Sequence, residues 1–289
     1  MARRQRKRPL ERERELAELL ARGTSDHYLD PLLYDSEYAD QADDIDWYGA
    51  LADERRGAGP LLELGVGSGR IAIPLAQAGH HVVGLDRMPE MIEHLHAKLR
   101  ALERAGEAPP GRIDTVLGDM TEIPLPDASF ELVIAPFNCL MHLYRWQDLL
   151  ACFQAVHRVL RAGGTFAFDV LLPDLEWLLL DPEQRHAVTR FTHPRTGERM
   201  VYSTNHAYDP DTQVCHIRLY YDLASKFRVR GTEGSTVVHL AHRQIFPEEV
   251  RMLLAMAGFE LESQTGDFLD LGLTRDVEVQ VIVARKPTA

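Results

Sequence analysis

Cysteine is scarce in this 289-residue chain, which carries only Cys139, Cys152 and Cys215. They form no C-x-x-C pair and no zinc-ligand spacing, which excludes a disulfide scaffold and a zinc-built fold. They read as buried thiols of a reducing compartment, so a cytoplasmic protein is expected. H-E-x-x-H is also missing, and His239-x-x-His242 alone is a poor metal site, so no metal is expected. No apolar run reaches the roughly eighteen residues of a membrane span, and the start of the chain has no signal-type apolar stretch. Positive charge is short as well: 32 Lys and Arg stand against 44 Asp and Glu, a net charge of −12. Eight of the basic groups and only four acids fall within residues 1–22, which leaves −16 for the remainder. A body that acidic repels phosphate backbones, so nucleic acid is not the expected main partner. The Arg-rich start reads as a solvated tail running into a short helix over Leu10–Ala21.

What is present is an alternation of strands and helices from residue 60 to 170. Apolar runs at Leu61–Leu64, Val82–Leu85, Ile113–Leu117, Phe130–Ala135 and Thr165–Val170 read as five strands. The spacing predicts helices between them: one over Arg70–Ala78, one from Pro89 with Met91, Ile92, Leu95, Leu99 and Leu102 on a single face, and one carrying Leu149, Phe153, Val156 and Leu160 up to a stop at Gly163-Gly164. Alternation of this kind implies a doubly wound, mostly parallel sheet. After Pro173 the rhythm changes. Runs at 199–208, 213–222 and 235–245 read as antiparallel strands, the first two joined by the turn Asp209-Pro210-Asp211-Thr212. The α/β pattern returns with a helix over Glu248–Ala257 and strands at Phe259–Gln264 and Val277–Ala284.

The chemistry concentrates at Leu61-Leu62-Glu63-Leu64-Gly65-Val66-Gly67-Ser68-Gly69-Arg70. Glycines directly after a strand let the backbone approach a ligand closely. Asp86, at the tip of the second strand, can accept hydrogen bonds from ribose hydroxyls. The ligand is therefore a nucleoside-containing cofactor. A dinucleotide fingerprint wants a small residue where Arg70 stands, and a pyrophosphate would have no use for a carboxylate at Glu63. A cofactor bearing an amino acid would. Hydride-transfer chemistry is accordingly disfavoured.

These residues resemble the class I S-adenosylmethionine-dependent methyltransferases. The likeness covers the Glu63–Arg70 block and Gly84-Leu85-Asp86, then Gly118-Asp119-Met120, Phe130–Ala135 with Phe137-Asn138, and Arg158–Gly164. It is closest to small-molecule enzymes whose N-terminal segment carries spaced tyrosines, as Tyr28 and Tyr34 do here, and whose substrate lid is inserted after strand five. The resemblance implies a Rossmann-like methyltransferase fold with a seven-stranded sheet and an antiparallel insertion. It implies S-adenosyl-L-methionine as cofactor and S-adenosyl-L-homocysteine as product. Glu63 and Gly65, Gly67, Gly69 with Arg70 would hold the methionyl part, Asp86 the ribose, and Asp119 with Met120 the adenine, beside Arg87 and Met88. Relatives often place Ser where Met88 stands. Phe137 and Asn138 would sit where cofactor and acceptor meet, with Tyr28 and Tyr34 near the sulfonium.

The organisation expected is a basic tail and short helix (1–22), a helical cap (23–56), a cofactor-binding core (57–175), an antiparallel substrate lid (176–245) and core completion (246–289). The expected activity is in-line transfer of a methyl group to nitrogen or oxygen of a small molecule, by a monomer or homodimer. His142 is the candidate general base and a substrate contact. Strand alternation would place Tyr202, His206 and Tyr208 beside His216, Arg218 and Tyr220 on one face of the insertion. Tyr202, His206, Arg218 and Arg243 are thus candidate acceptor contacts. Two other readings stand: a methyltransferase that docks protein or RNA through the basic tail, and a cofactor-binding protein without catalysis.

Overall fold

The computed structural model describes residues 9–57, 59–227, 235–269 and 271–288, with side chains from Arg14 onward. Residues 1–8, which carry most of the basic tail, lie outside them. Three helices precede the sheet: α1 (Pro9–Ser25), α2 (Pro31–Glu37) and α3 (Asp43–Glu54), with a 3₁₀ turn at Asp26–Tyr28. The core then runs β1 (Leu61–Leu64), α4 (Ala72–Gln77), β2 (His81–Asp86), α5 (Pro89–Ala105), β3 (Arg112–Leu117), β4 (Phe130–Ala135), α6 (Trp146–Val159) and β5 (Leu160–Leu171). A short helix α7 (Leu175–Leu178) leads into β6 (His186–Thr192), β7 (Arg199–Asp209), β8 (Val214–Leu223) and β9 (Thr236–Arg243). The chain closes with α8 (Pro247–Met256), β10 (Glu260–Gly266) and β11 (Val279–Arg285). No described helix is long and apolar enough to cross a membrane.

The large sheet has seven strands in the order β10-β11-β5-β4-β1-β2-β3, all parallel except β11, which runs antiparallel to both β10 and β5. The α/β, doubly wound architecture expected from the strand–helix rhythm is the one observed. Its central strands are buried on both faces, as their unbroken apolar runs require. One face packs Leu149, Phe153 and Val156 of α6 with Val250 and Leu253 of α8; the other packs Tyr48 and Leu51 of α3, Leu75 of α4 and Leu95 of α5. Helix α5 begins at Pro89, whose missing N–H costs nothing in a first turn, and ends at Gly106, whose φ of +77° is the left-handed cap a side chain would resist.

Two expectations need correction. Gly163-Gly164 do not stop α6, which ends at Val159; they lie inside β5. Phe130 pairs with Leu160 but Leu132 pairs with Thr165, so the intervening residues bulge out of the ladder. The bulge is bound instead by the tail of β11, Gly163 N–H donating to the Lys286 carbonyl and Lys286 N–H to that of Gly164. The antiparallel sheet also holds a fourth strand, β6, in the order β6-β7-β8-β9. Its residues are mostly exposed, so β6 carries none of the apolar alternation that marks a strand in sequence.

Candidate active site

Strands β1, β2 and β4 point their C-terminal ends at a common crevice, where ligands of open α/β sheets bind. The loop after β1 turns through Gly65 at φ +69° and Gly67 at φ +52°, and a Cβ on Gly65 would stand 2.9 Å from the Cβ of Cys139. Only glycine fits that turn. Asp86 ties the loop to β2: its Oδ2 accepts from Gly67 N–H at 2.7 Å and its Oδ1 from Met88 N–H at 2.8 Å. Burial raises the pKa of this carboxyl, and the two backbone N–H groups oppose that rise. Glu63 is 2% exposed, and its Oε2 has no hydrogen-bond partner. Burial pushes its pKa well above the ordinary carboxylate value. A buried acid left without a donor is costly unless a ligand supplies one.

Two adjoining cavities open from this crevice. The first is lined by Gly65, Gly67, Asp86, Arg87, Met88, Asp119, Met120, Phe137 and His142, and roofed by Tyr28 and Tyr34. A narrow extension reaches Glu63 and Arg70. The second cavity has a volume of about 610 Å³ and shares Tyr28, Tyr34 and Phe137 with the first. Its other walls come from far apart in the chain: His27 and Tyr38, Asp44, Asn138, Asp169 and Leu171, Leu240 and His242, then Asp267, Phe268 and Leu269, and Asp276, Glu278 and Val279.

The roof is held in place by polar contacts. Asp35 of α2 accepts from Ser68 Oγ of the glycine loop at 2.5 Å, and from His94 and Lys98 of α5, each at 3.0 Å. Arg70 forks onto Asp44 of α3 and lies 4.2 Å from the centre of the Phe137 ring. Tyr221 of β8 donates to Glu37, whose pKa burial pushes up to about 7. Tyr28, Tyr34, Tyr38, Phe137 and His142 pack as a continuous aromatic wall, with Tyr34 and Tyr38 centred 4.7 Å apart.

Not every residue singled out in the sequence reaches these cavities. Glu63, Gly65, Gly67, Arg70, Asp86, Arg87, Met88, Asp119, Met120, Phe137, Asn138, Tyr28 and Tyr34 are brought together; Gly69 lies just outside, wedged against Leu95. Asp119 also caps its own turn through Thr121. His142 lines the first cavity rather than the second. Its Nε2 lies 2.6 Å from the Tyr28 hydroxyl, its Nδ1 is buried without a partner, and burial holds its pKa well below 6.5. A histidine so held stays neutral and is a weak base. Tyr202, His206, Arg218 and Arg243 do not line the second cavity. His206 stacks on Trp177 with ring centres 3.8 Å apart and meets its carbonyl at 2.7 Å; Arg218 donates to Asn205 and the Pro182 carbonyl; Arg243 donates to Gln213, Glu249 and the Tyr144 carbonyl; Tyr202 packs against Tyr221. The single face expected for Tyr202, His206, Tyr208, His216, Arg218 and Tyr220 is not observed. Tyr202 pairs with Tyr221 and His206 with Ile217, so His216, Arg218 and Tyr220 point to the opposite side. A one-residue difference in register moves every side chain across a sheet.

Sequence reasoning passed over Asp169, Tyr38 and Tyr48. Asp169, 1% exposed in β5, accepts from Tyr48 Oη at 2.7 Å, Phe137 N–H at 2.8 Å and Asn138 N–H at 3.1 Å. It fixes a loop whose two residues both have left-handed backbone, φ +56° and +63°. Asn138 Oδ1 closes the ring of contacts by accepting from Leu171 N–H at 2.7 Å. Burial raises the Asp169 pKa to about 6. The signal was available: a lone acid within Phe166-Ala167-Phe168-Asp169-Val170 breaks an apolar strand and asks for buried donors.

Residues 61–164 match the family model described as a methyltransferase domain. The chain is 26% identical over 243 residues to a putative methyltransferase of Geobacillus sp. (strain WCH70), covering 80% of this chain and 86% of the relative. Its fold is shared with the CcbJ methyltransferase from Streptomyces caelestis, at a TM-score of 0.68 and 24% identity over 86% of this chain and 97% of that one. The sugar N-methyltransferase KedS8 from Streptoalloteichus sp ATCC 53650 superposes with a TM-score of 0.60 and 22% identity over 86% and 92%. A glycine turn closed by Asp86 and an unsatisfied buried acid at Glu63 agree with these likenesses: residues 61–164 match a methyltransferase domain, and the chain is similar to S-adenosylmethionine-dependent methyltransferases in sequence and in fold.

Proposed function

We propose that this methyltransferase acts on a nitrogen or oxygen of a small molecule held in the second cavity. The observation that carries this reading is the 610 Å³ space itself, which shares Tyr28, Tyr34 and Phe137 with the chamber under the glycine loop. Its size suits a compact organic acceptor. One neighbour in fold is a sugar N-methyltransferase, in keeping with an acceptor of that size.

The residues fit the cofactor. Glu63 offers an unsatisfied buried acid to an ammonium group, and the Arg70 guanidinium, forked onto Asp44, lines the same extension. Asp86 retains lone pairs for a ribose, and Asp119, Met120 and Met88 line the space for an adenine. When bound, S-adenosylmethionine supplies a methyl group already activated on a sulfonium. The protein's part is placement and exclusion of water. Holding two reactants aligned at about 3–3.5 Å can take ~7–11 kcal/mol from a barrier. Asp169 sets the Phe137-Asn138 loop at the boundary of the two cavities, so it acts as a positioning residue. His142 stays neutral and orients the Tyr28 hydroxyl. Residues 23–56 serve as a cap, tied to the glycine loop by the Asp35 and Arg70 contacts, and the described strands of 176–245 serve as a lid, tied to the cap through Glu37.

A methyl-transfer assay over matched amines, phenols, alcohols and carboxylates, read by S-adenosylhomocysteine release, tests the reading. Turnover of at least one small acceptor is the expected result. Binding of S-adenosylhomocysteine without turnover of any would favour the non-catalytic alternative.

A further inference from the structure

The second cavity has an unusual charge. Six carboxylates line it, from Asp43, Asp44, Asp169, Asp267, Asp276 and Glu278, and its described walls contain no lysine or arginine. Arg70 compensates Asp44 from outside the wall. Asp169 is occupied by three donors, and Asp267 accepts from the backbone N–H groups of Glu278 and Val279. Asp43, Asp276 and Glu278 stand exposed at the mouth, in no described ion pair. The basic side chains in its described wall are two histidines, His27 and His242, and burial lowers the pKa of each to about 4, so both are neutral near pH 7. Deeper in, Tyr34, Tyr38 and Phe137 present aromatic rings. An acidic mouth leading to aromatic faces is complementary to a cation.

We propose that the acceptor is a small molecule carrying a protonated amine, drawn in by the mouth carboxylates and seated against the aromatic wall; where that amine is itself the methylated nitrogen, it first gives a proton to water at the open mouth, and its freed lone pair then forms the N–C bond as the S–C bond to the sulfonium breaks. This rests on the reading of the second cavity as the acceptor site. An anionic acceptor would meet repulsion from every free charge at the mouth. A neutral alcohol would draw no benefit from desolvating them. One rival use of these acids is to favour the cationic cofactor over its neutral product, and it makes a different forecast.

Three probes separate these cases: cyclohexylmethylamine, cyclohexylmethanol and cyclohexanecarboxylate, which share a ring and differ in charge. Each is titrated calorimetrically into the full-length protein saturated with S-adenosylhomocysteine, at low salt and again at a few tenths molar. We expect the amine to bind about tenfold tighter than the alcohol at low salt, and the margin to shrink at high salt. The carboxylate should bind least. In the triple variant Asp43→Asn, Asp276→Asn, Glu278→Gln the amine's advantage should fall by about tenfold, with S-adenosylhomocysteine affinity unchanged. These side chains are exposed and in no described ion pair, so the fold should tolerate the change. No preference among the probes, a preference for the carboxylate, or an amine affinity untouched in the triple variant would overturn the proposal. A triple variant that changes only the ratio of S-adenosylmethionine to S-adenosylhomocysteine affinity would assign the acids to the cofactor instead. Failure to bind S-adenosylhomocysteine at all would sink the cofactor reading beneath it, a result distinct from the others.

Discussion

The two cavities share a wall and are built in opposite ways. The chamber under the glycine loop is made from strand ends and the turns directly after them, and its framework is backbone: Gly65, Gly67, the N–H groups of Gly67 and Met88, and one carboxylate that joins them. The neighbouring cavity is made of side chains from six separate stretches of chain, from His27 to Val279. The first construction tolerates little change, because backbone geometry at positive φ admits few residues. The second can be altered one side chain at a time without disturbing the sheet. If the two cavities hold donor and acceptor as proposed, a fixed donor site stands beside an acceptor site whose side chains can vary.

The largest test of this contrast is Asp86→Ala. Losing the carboxylate that closes the glycine turn should cost about 1–3 kcal/mol of S-adenosylhomocysteine affinity, roughly ten- to a hundredfold, read by calorimetry. Unaltered affinity would mean that the loop does not depend on it. Asp169→Asn comes next. The Asp169 pKa is raised from 3.8 to about 6 in the folded protein, so the proton it retains stabilises the native state below about pH 4, and that stabilisation is lost as pH rises to about 6. Wild-type unfolding free energy should therefore fall across this window by on the order of 3 kcal/mol more than that of Asp169→Asn, which has no proton to lose. Parallel pH profiles would refute the assignment.

His142→Ala tests the shared wall. Because His142 faces the cofactor chamber, the variant should weaken S-adenosylhomocysteine binding at least as much as it slows turnover, by roughly fivefold, and should leave no inflection near pH 6.5 missing from the profile. A selective loss of turnover with a vanished inflection would restore its role as base. The smallest effect is expected for Arg218→Ala. Its partners are Asn205 and the Pro182 carbonyl, away from the cavity, so KM for any acceptor should change by less than about twofold. A large rise in KM would show that the outer face of the antiparallel sheet touches substrate after all.

Legibility in the sequence followed the same division. Glu63, Asp86 and the glycines could be read because a strand, a turn and a second strand lie within about twenty-five residues, and each element signals its own geometry locally. Asp169 was passed over since its donors, Tyr48 and the Phe137-Asn138 backbone, come from 31 to 121 positions away. The faces of β7 and β8 were mis-set because alternation gives the two sides of each strand but not the register between strands.

By itself, the chain's order of residues determined the doubly wound sheet and the donor chamber, since short-range periodicity and backbone sterics act within a segment. Only the tertiary structure decided which histidines are neutral, which acids meet at one mouth and which arginines are spent on carbonyls and carboxylates. Those outcomes depend on burial and on neighbours distant in the chain, and neither is a property of any stretch of sequence.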